Sequence, residues 1–292
     1  MAAQPSFPFG SLARPAKPIL KWAGGKARLL PTLKRLIPPN FDRYIEPFLG
    51  GGAFFFALAP KFGIVNDLNA ELIQCYETVR DAPDALLNSL SKMMVEESEF
   101  YRWRAIEPGT LDSISRAARF IYLNKTCFNG LYRVNKKGQF NSPFGGYATV
   151  ALADPSNLYA CSEALSRTEI TSGDYRKVLG NAQPGDFIYL DPPYVPVGKF
   201  SDFNRYTAEP FSGTNQEELA SIFADLDQRG CLVLLSNSKH PTVVELYKQF
   251  QQLTVKMPRF VNCKGDKRGD VDELVVTNYE LPSELSGDEI HG

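Results

Sequence analysis

The sequence predicts an α/β fold, a doubly wound and mostly parallel sheet carrying an inserted block of helices and a β-hairpin. Three observations lead there. Short apolar runs of strand length alternate with longer segments of helical periodicity, the pattern of a sheet covered by helices on both faces. The alternation lapses between about 70 and 152, where helical segments follow one another and then give way to turn-rich sequence. Finally, "DFIYLDPPY" runs a buried strand into Asp191-Pro192-Pro193-Tyr194. Two prolines offer no N–H to a ladder, so this strand ends at Asp191, at the carboxyl edge where open α/β sheets place their ligands.

In chain order, residues 1–17 are rich in Pro and Ala and read as a flexible lead. A helix at 26–36 follows "KWAGGK". A strand at 43–48, a helix at 53–59 and the strand "GIVND" at 63–67 come next. Helices at 70–80, 83–96 and 113–126 open the inserted block, 70–152. It closes in the hairpin-like "CFNGLYRVNKKGQFNSPFGGY", with turn signals at Asn129-Gly130 and Lys137-Gly138. Strands at 169–174, 186–191, 231–237, 252–257 and 273–279, with helices at 216–228 and 241–249, complete the sheet. The acidic tail at 282–292 reads as flexible. One domain thus comprises 18–69 and 153–281, and a second 70–152.

At 292 residues the chain is long enough for a substantial core. A net charge of −1 excludes a globally basic nucleic-acid binder, so any such surface has to be local. Residues 113–153 supply one: Arg116, Arg119, Lys125, Arg133, Lys136 and Lys137 occur there without a single acid. The five cysteines are scattered and odd in number, and His240 and His291 stand apart. Neither a disulfide framework, a metal site nor a His-based triad is expected, and both histidines read as surface residues. No segment reads as a signal peptide or membrane span, so a reducing, cytoplasmic setting is expected.

Two glycine-rich stretches precede the proline motif. In "LKWAGGK", Gly24-Gly25 lead toward a helix whose first amides suit an anion, while Ala27 after Lys26 excludes a phosphate-binding loop of the NTPase type. In "YIEPFLGGGAFFF", a strand meets Gly50-Gly51-Gly52, where the lack of a Cβ lets a ligand approach the backbone. Roughly fifteen residues later "GIVND" ends in Asp67, positioned to accept hydrogen bonds from a ribose. Strand, glycines, helix, strand and acid outline an adenosine-binding half, although the spacing is not that of a dinucleotide fingerprint.

Taken together, "LKWAGGK" (20–26), "YIEPFLGGGAFFF" (44–56), "NDLNAELI" (66–73), "FIYLNKTCFNGLYRVNKKGQFNSPFG" (120–145), "DFIYLDPPY" (186–194) and "KGDKRGDVDELVVTNY" (264–279) resemble the N6-adenine DNA methyltransferases, most closely the Dam family of the D12 class. The resemblance covers most of the chain. It implies a Rossmann-like methyltransferase fold with an inserted target-recognition domain. It also implies a site-specific adenine methyltransferase, using S-adenosylmethionine, that acts on an adenine flipped out of double-stranded DNA.

The resemblance assigns the chemistry to Asp191, Pro192, Pro193 and Tyr194. Adenine's exocyclic amine is a poor nucleophile, its lone pair delocalised into the ring. Acceptors at the Asp191 carboxylate and the Pro192 carbonyl favour a geometry in which that lone pair attacks, and they stabilise positive charge growing on nitrogen. Tyr194 stacks on the base, returning about 1–3 kcal/mol of a flipping cost of about a few kcal/mol. The aromatic segment 200–211 is the candidate for the rest of the pocket. Cofactor contacts carry over to Trp22, Lys26, Phe48, Gly50, Gly52, Asp67 and Asp191, with Lys26 expected on the cofactor carboxylate.

DNA contacts carry over to Lys21, Phe128, Asn129, Leu131, Arg133, Lys136, Lys137, Pro143 and Tyr147. Arg133 suits guanine O6 and N7, Leu131 and Pro143 a thymine methyl, Phe128 and Tyr147 the opened base pair, and Lys136 and Lys137 phosphates. The Dam-like order Asn129-Gly130-Leu131-Tyr132-Arg133 points to GATC. Competing readings are an adenine methyltransferase acting on RNA, and a DNA-binding relative without catalysis. The acids Asp266, Asp270, Asp272 and Glu273 read as a solvated loop with no catalytic role. A monomer acting on one strand at a time is expected.

Overall fold

A computed structural model describes residues 15–22, 24–135, 137–147, 149–194, 211–257, 271–281 and 289–291. Its centre is an eight-stranded sheet made of β1 (Tyr44–Glu46), β2 (Gly63–Asp67), β3 (Thr168–Ser172), β4 (Phe187–Leu190), β5 (Leu232–Ser238), β6 (Gln251–Met257), β7 (Val271–Thr277) and β8 (Glu289–His291). The spatial order is β3-β2-β1-β4-β5-β7-β6-β8. The first five of these run parallel, whereas β7 is antiparallel to both β5 and β6. Running outward from β1 through β2 to β3, the chain returns to the other side of β1 as β4. This makes the β1/β4 boundary a topological switch point, where the crevice of an open α/β sheet lies.

Strand residues alternate between two cores. Tyr44, Phe187, Tyr189 and Leu234 face one, and Ile45, Ile188, Leu190, Val233 and Leu235 face the other. Burial on both faces explains why β4 reads as a continuous apolar run rather than an alternating one, while β1 is buried throughout even at Glu46. The first core meets α1 (Leu30–Arg35), α2 (Ala53–Leu58), α3 (Ala70–Asp81), α4 (Pro83–Ser91), α5 (Glu97–Ala105), α6 (Ser113–Thr126) and α7 (Pro155–Leu165). The second is covered by α8 (Tyr175–Gly180), α9 (Gly213–Gln228) and α10 (Pro241–Leu246). Buried Phe120, Tyr122 and Leu123 of α6 continue the same core as Tyr44 and Phe54, so the helices between β2 and β3 are not packed separately from the sheet.

Several boundaries differ from the sequence reading. Helix α1 starts at Leu30, after a turn in which the Leu30 N–H donates to the Lys26 carbonyl (2.9 Å), so Gly24-Gly25 do not lie at its first turn. The segment expected to be helical over 83–96 stops at Ser91, and α5 begins anew at Glu97. Helices α7 and α8 were not expected; each is capped by an Asp, Asp154 and Asp174, that accepts from a first-turn N–H. Among the described residues the hairpin reduces to two antiparallel bridges, Cys127↔Phe144 and Val134↔Phe140. Pro143 has no N–H to extend the pairing, and Asn129 and Gly130 adopt left-handed φ of 56° and 63°.

The lead is not entirely loose, because the Lys17 N–H donates to Asn157 Oδ1 (2.9 Å) on α7. At the other end, Glu289–His291 pair with β6 as an edge strand where a tail was expected. Among the described residues no helix is long and apolar enough to cross a membrane.

Candidate active site

The proline motif lies at the carboxyl end of β4, beside the end of β1, at the switch point. Pro192 is buried and Asp191 half-buried. Lys26 reaches it from the loop before α1, and its ammonium lies 2.8 Å from Asp191 Oδ1. Ser236 Oγ of β5 donates to the same oxygen at 3.3 Å and also meets the Tyr189 hydroxyl at 2.8 Å. Among the described residues nothing donates to Asp191 Oδ2. Burial raises the Asp191 carboxyl above the usual carboxylate range, with Lys26 working in the opposite direction. Burial likewise opposes charge on Lys26, but Asp191 and Glu273 outweigh it and raise its pKa.

The expectation for Glu273 does not hold. It begins no solvated loop but lies within β7, and its Oε1 is 3.2 Å from Lys26 Nζ with the side chain 12% exposed. The Tyr194 hydroxyl accepts from Lys26 and donates to Glu273, while the Lys26 ammonium sits 4.5 Å from the centre of the Tyr194 ring. Lys26 is thus engaged by Asp191, Glu273, Tyr194 and the Gly24 carbonyl (3.1 Å) rather than standing free for a cofactor carboxylate. Antiparallel β7 explains the placement, because its first residues run alongside the last residues of β5, with Glu273 opposite Ser238. Periodicity along the chain carries no such information.

The motif is also held from behind. Gln216 Nε2 on α9 donates to the Pro193 carbonyl (3.0 Å), and its Oε1 accepts from Asn237 Nδ2 (3.0 Å) in β5. Both side chains are buried. Sequence reading missed this relay. Of the aromatic segment at 200–211 only Phe211 is described, packed at 6.0 Å on Phe48, which also meets Tyr175 at 5.0 Å.

Asp67 ends β2 as expected, with Oδ2 accepting from the Gly50 N–H and Oδ1 from the Asn69 N–H, both at 2.9 Å. Gly50 has a different reason for its identity from the one expected. A Cβ there would meet Trp22 Cδ1 at 2.8 Å, and φ is 49°, so the close neighbour is a tryptophan ring. Gly52 caps α2 with φ 67°, and its missing side chain makes room for Phe56. Trp22 in turn stacks on Tyr132 (5.4 Å) and Phe120 (6.5 Å), bridging the glycine loop and the inserted block.

A further acid was missed. Glu46, 3% exposed at the end of β1, accepts from the Tyr44 hydroxyl at 2.6 Å. Burial first, then the nearby Asp191, pushes its carboxyl well above the usual range. Burial raises Asp67 as well. Three carboxyl groups thus stand at the ends of adjacent strands β1, β2 and β4, where burial favours their neutral forms until a cation or hydroxyl donors arrive. Among the described residues no group of His, Cys, Asp or Glu is arranged to hold a metal ion. His240 caps α10, its Nδ1 accepting from the Thr242 N–H at 3.3 Å.

Several of the expected DNA contacts meet one another. Phe128 is 55% exposed, and its N–H donates to the carbonyl of exposed Pro143 (2.9 Å). Asn129 is exposed, with its N–H donating to the Tyr147 hydroxyl (3.1 Å). Lys21 joins them: its ammonium is 5.0 Å from the Tyr147 ring centre, and a Cβ on Gly130 would collide with its side chain. Asn124 of α6 accepts from the Lys21 N–H (2.8 Å) and donates to the Lys21 carbonyl (2.7 Å). Half-buried Arg133 donates from Nε to Asn141 Oδ1 at 2.8 Å. Leu131 is half-buried and Lys137 exposed, while Lys136 lies outside the described residues.

Two of the expected surface cations are held by partners within the protein. Arg116 pairs with Glu71, and buried Arg119 donates to the carbonyls of Trp103 (2.8 Å) and Arg104 (3.2 Å).

The sequence model of the D12 class N6 adenine-specific DNA methyltransferases matches residues 22–259. The chain is similar to the Type II methyltransferase M1.LlaDCHI of Lactococcus lactis subsp. cremoris, 42% identical over 271 residues, covering 90% of this chain and 95% of the relative. It is also similar to the Type II methyltransferase M.MjaIII of Methanocaldococcus jannaschii, at 40% identity, covering 90% and 99%. The DNA adenine methylase of Escherichia coli is 32% identical, covering 88% and 93%.

Proposed function

The chain belongs to the D12 class of N6 adenine-specific DNA methyltransferases, and from that premise we propose that it methylates an adenine flipped out of duplex DNA, within the sequence GATC. The observation that supports the site best is Asp191 at the switch point. One of its oxygens is bonded to Lys26 and Ser236, and the other has no donor among the described residues. That second oxygen and the Pro192 carbonyl receive the two hydrogens of the adenine amine, turning the nitrogen lone pair toward the electrophile. Tyr194 stacks on the base. As the N–C bond forms, the donor's bond to the methyl group would break with its electron pair staying on the donor, and the nitrogen would release one proton past Asp191 to solvent.

S-adenosylmethionine, the methyl donor of this class, supplies an electrophilic methyl group on a sulfonium. Burial disfavours the charged forms of Glu46, Asp67 and Asp191, a cost that its positive charge would relieve, and their oxygens fit its hydroxyls. Asp67 would hold the ribose, with Trp22, Phe48, Gly50 and Gly52 shaping the surrounding loop, and Lys26 would meet the ligand carboxylate only by sharing itself with Asp191 and Glu273.

In this reading 70–152 is the recognition segment, and 18–69 with 153–281 the catalytic part. Exposed Phe128 enters the space vacated by the base, Arg133 reads a guanine edge, Leu131 and Pro143 touch a thymine methyl, and Lys137 holds phosphate. The chain acts as a monomer in the cytoplasm, one strand at a time. The support for GATC is the order Asn129-Gly130-Leu131-Tyr132-Arg133 and the 32% identity to a DNA adenine methylase. Mapping N6-methyladenine at single-base resolution on a methyl-free plasmid tests it: methyl at the adenine of GATC is expected. Methyl at another motif, with GATC untouched, overturns the specificity while leaving the chemistry.

A further inference from the structure

Two carboxylates compete for one ammonium in this site. Lys26 lies 2.8 Å from Asp191 and 3.2 Å from Glu273, and Tyr194 bonds to both Lys26 and Glu273. Asp191 accepts well from an adenine amine only while its negative charge is not fully matched by Lys26. A cation committed to Asp191 alone would neutralise the acceptor that the reaction needs. We propose that Glu273 is a positioning residue for methyl transfer, a second anionic seat that draws Lys26 away from Asp191 as the base arrives and anchors the Tyr194 hydroxyl so that its ring is set for stacking.

The inference rests on Asp191 and Tyr194 being the groups that meet the adenine. Glu273 itself acts through Lys26 and Tyr194. Its position on β7, the antiparallel strand beside β5, fixes the distance between the two carboxylates through the sheet rather than through a loop. Facing Asp191 are Lys26 from the loop before α1, Glu273 from β7, Glu46 from β1, Tyr189 from β4, Ser236 from β5, and Tyr194. Of these, Lys26 favours the ionised form of Asp191 and Glu273 disfavours it.

The test compares wild type with Glu273→Gln, which keeps the shape and a hydrogen-bond acceptor while removing the charge. Steady-state methyl transfer to duplex DNA is measured at saturating S-adenosylmethionine across pH, with melting temperatures alongside. The expected result is a kcat lower by about tenfold or more, the worth of one charge-assisted hydrogen bond, with KM for DNA within about twofold. The acid limb of kcat moves to lower pH, because Lys26, left wholly to Asp191, holds that carboxylate ionised further into acid.

A kcat within about twofold of wild type overturns the proposal, and so does a loss that follows the melting temperature with an unmoved limb. A rise confined to KM also overturns it. Should Glu273→Gln not fold, Glu273→Asp carries the test. It keeps the charge at shorter reach, so kcat falls while the limb stays in place; unchanged kcat overturns the proposal. Wild type without methyl transfer to DNA would overturn the methyltransferase reading itself, whereas an active wild type with an equally active Glu273→Gln overturns only this inference.

Discussion

Asn124 of α6 joins the block between β2 and β3 to the loop that carries Trp22 and Lys26, and replacing it with leucine measures that joint. The side chain is 0% exposed and makes two bonds to one backbone residue, 2.8 Å from the Lys21 N–H and 2.7 Å to the Lys21 carbonyl. Leucine fills a similar volume and removes both. A buried donor or acceptor stripped of its partner costs about 1–3 kcal/mol. Lys21 is only partly covered, so the lower half of that range applies to each group. Leucine is a better helix former than asparagine by roughly 0.5 kcal/mol, which offsets a little. Asn124→Leu is therefore expected to lower stability by about 2–3 kcal/mol in urea unfolding, with an unchanged m-value. Activity should fall as well, since Lys21 packs on Gly130 and Tyr147, which the proposed function places in the recognition segment. A loss below about 0.5 kcal/mol would refute the clamp.

Two other expectations follow from the same geometry. Glu46 keeps its proton in the folded protein above the pH at which the unfolded chain releases it, since burial raises its carboxyl well above 4.5. The folded state then binds more protons, and stability falls as pH rises from that value, by up to about 1.4 kcal/mol per pH unit for each such group. Asp67 and Asp191 share the direction, so Glu46→Gln should flatten the slope by one proton without abolishing it; denaturation curves at successive pH values read this, and an unchanged slope contradicts it. Arg133→Ala is expected to cost about 1–3 kcal/mol of discrimination at one base pair, measured as relative kcat/KM on duplexes with single-base changes. An equal drop on all duplexes would make Arg133 a phosphate contact instead.

The parts of this protein written in local chemistry were readable from its sequence. Pro192 and Pro193 follow closely on the end of β4, which closes at Leu190, one residue before the expected Asp191, and the alternation of apolar runs with helical segments matches the parallel half of the sheet. Helices α7 and α8 escaped notice despite capping aspartates and, in α7, a first-turn proline, since α8 spans only six residues and the buried face of α7 is built largely from the small residues Ala160, Cys161 and Ala164. Glu273 escaped for a different reason. Its role depends on β7 entering antiparallel beside β5, a tertiary fact with no signature in spacing. The same holds for Gln216, whose bond to the Pro193 carbonyl spans 23 residues, and for Gly50, where a glycine that suits a ligand loop equally suits the edge of Trp22. Arg116 and Arg119 show the limit of counting charge, because one meets Glu71 and the other two backbone carbonyls.

The central claim is that Asp191, at the end of β4, activates an adenine amine for methylation. Transfer of labelled methyl from S-adenosylmethionine to duplex DNA, with wild type beside Asp191→Asn, tests it most directly. Asparagine keeps the size and one carbonyl acceptor but removes the negative charge that the growing positive nitrogen requires. The account predicts label on adenine N6 with wild type and a loss of about 10²–10³-fold in kcat for the variant, with DNA binding retained. Equal turnover by Asp191→Asn and wild type would contradict it.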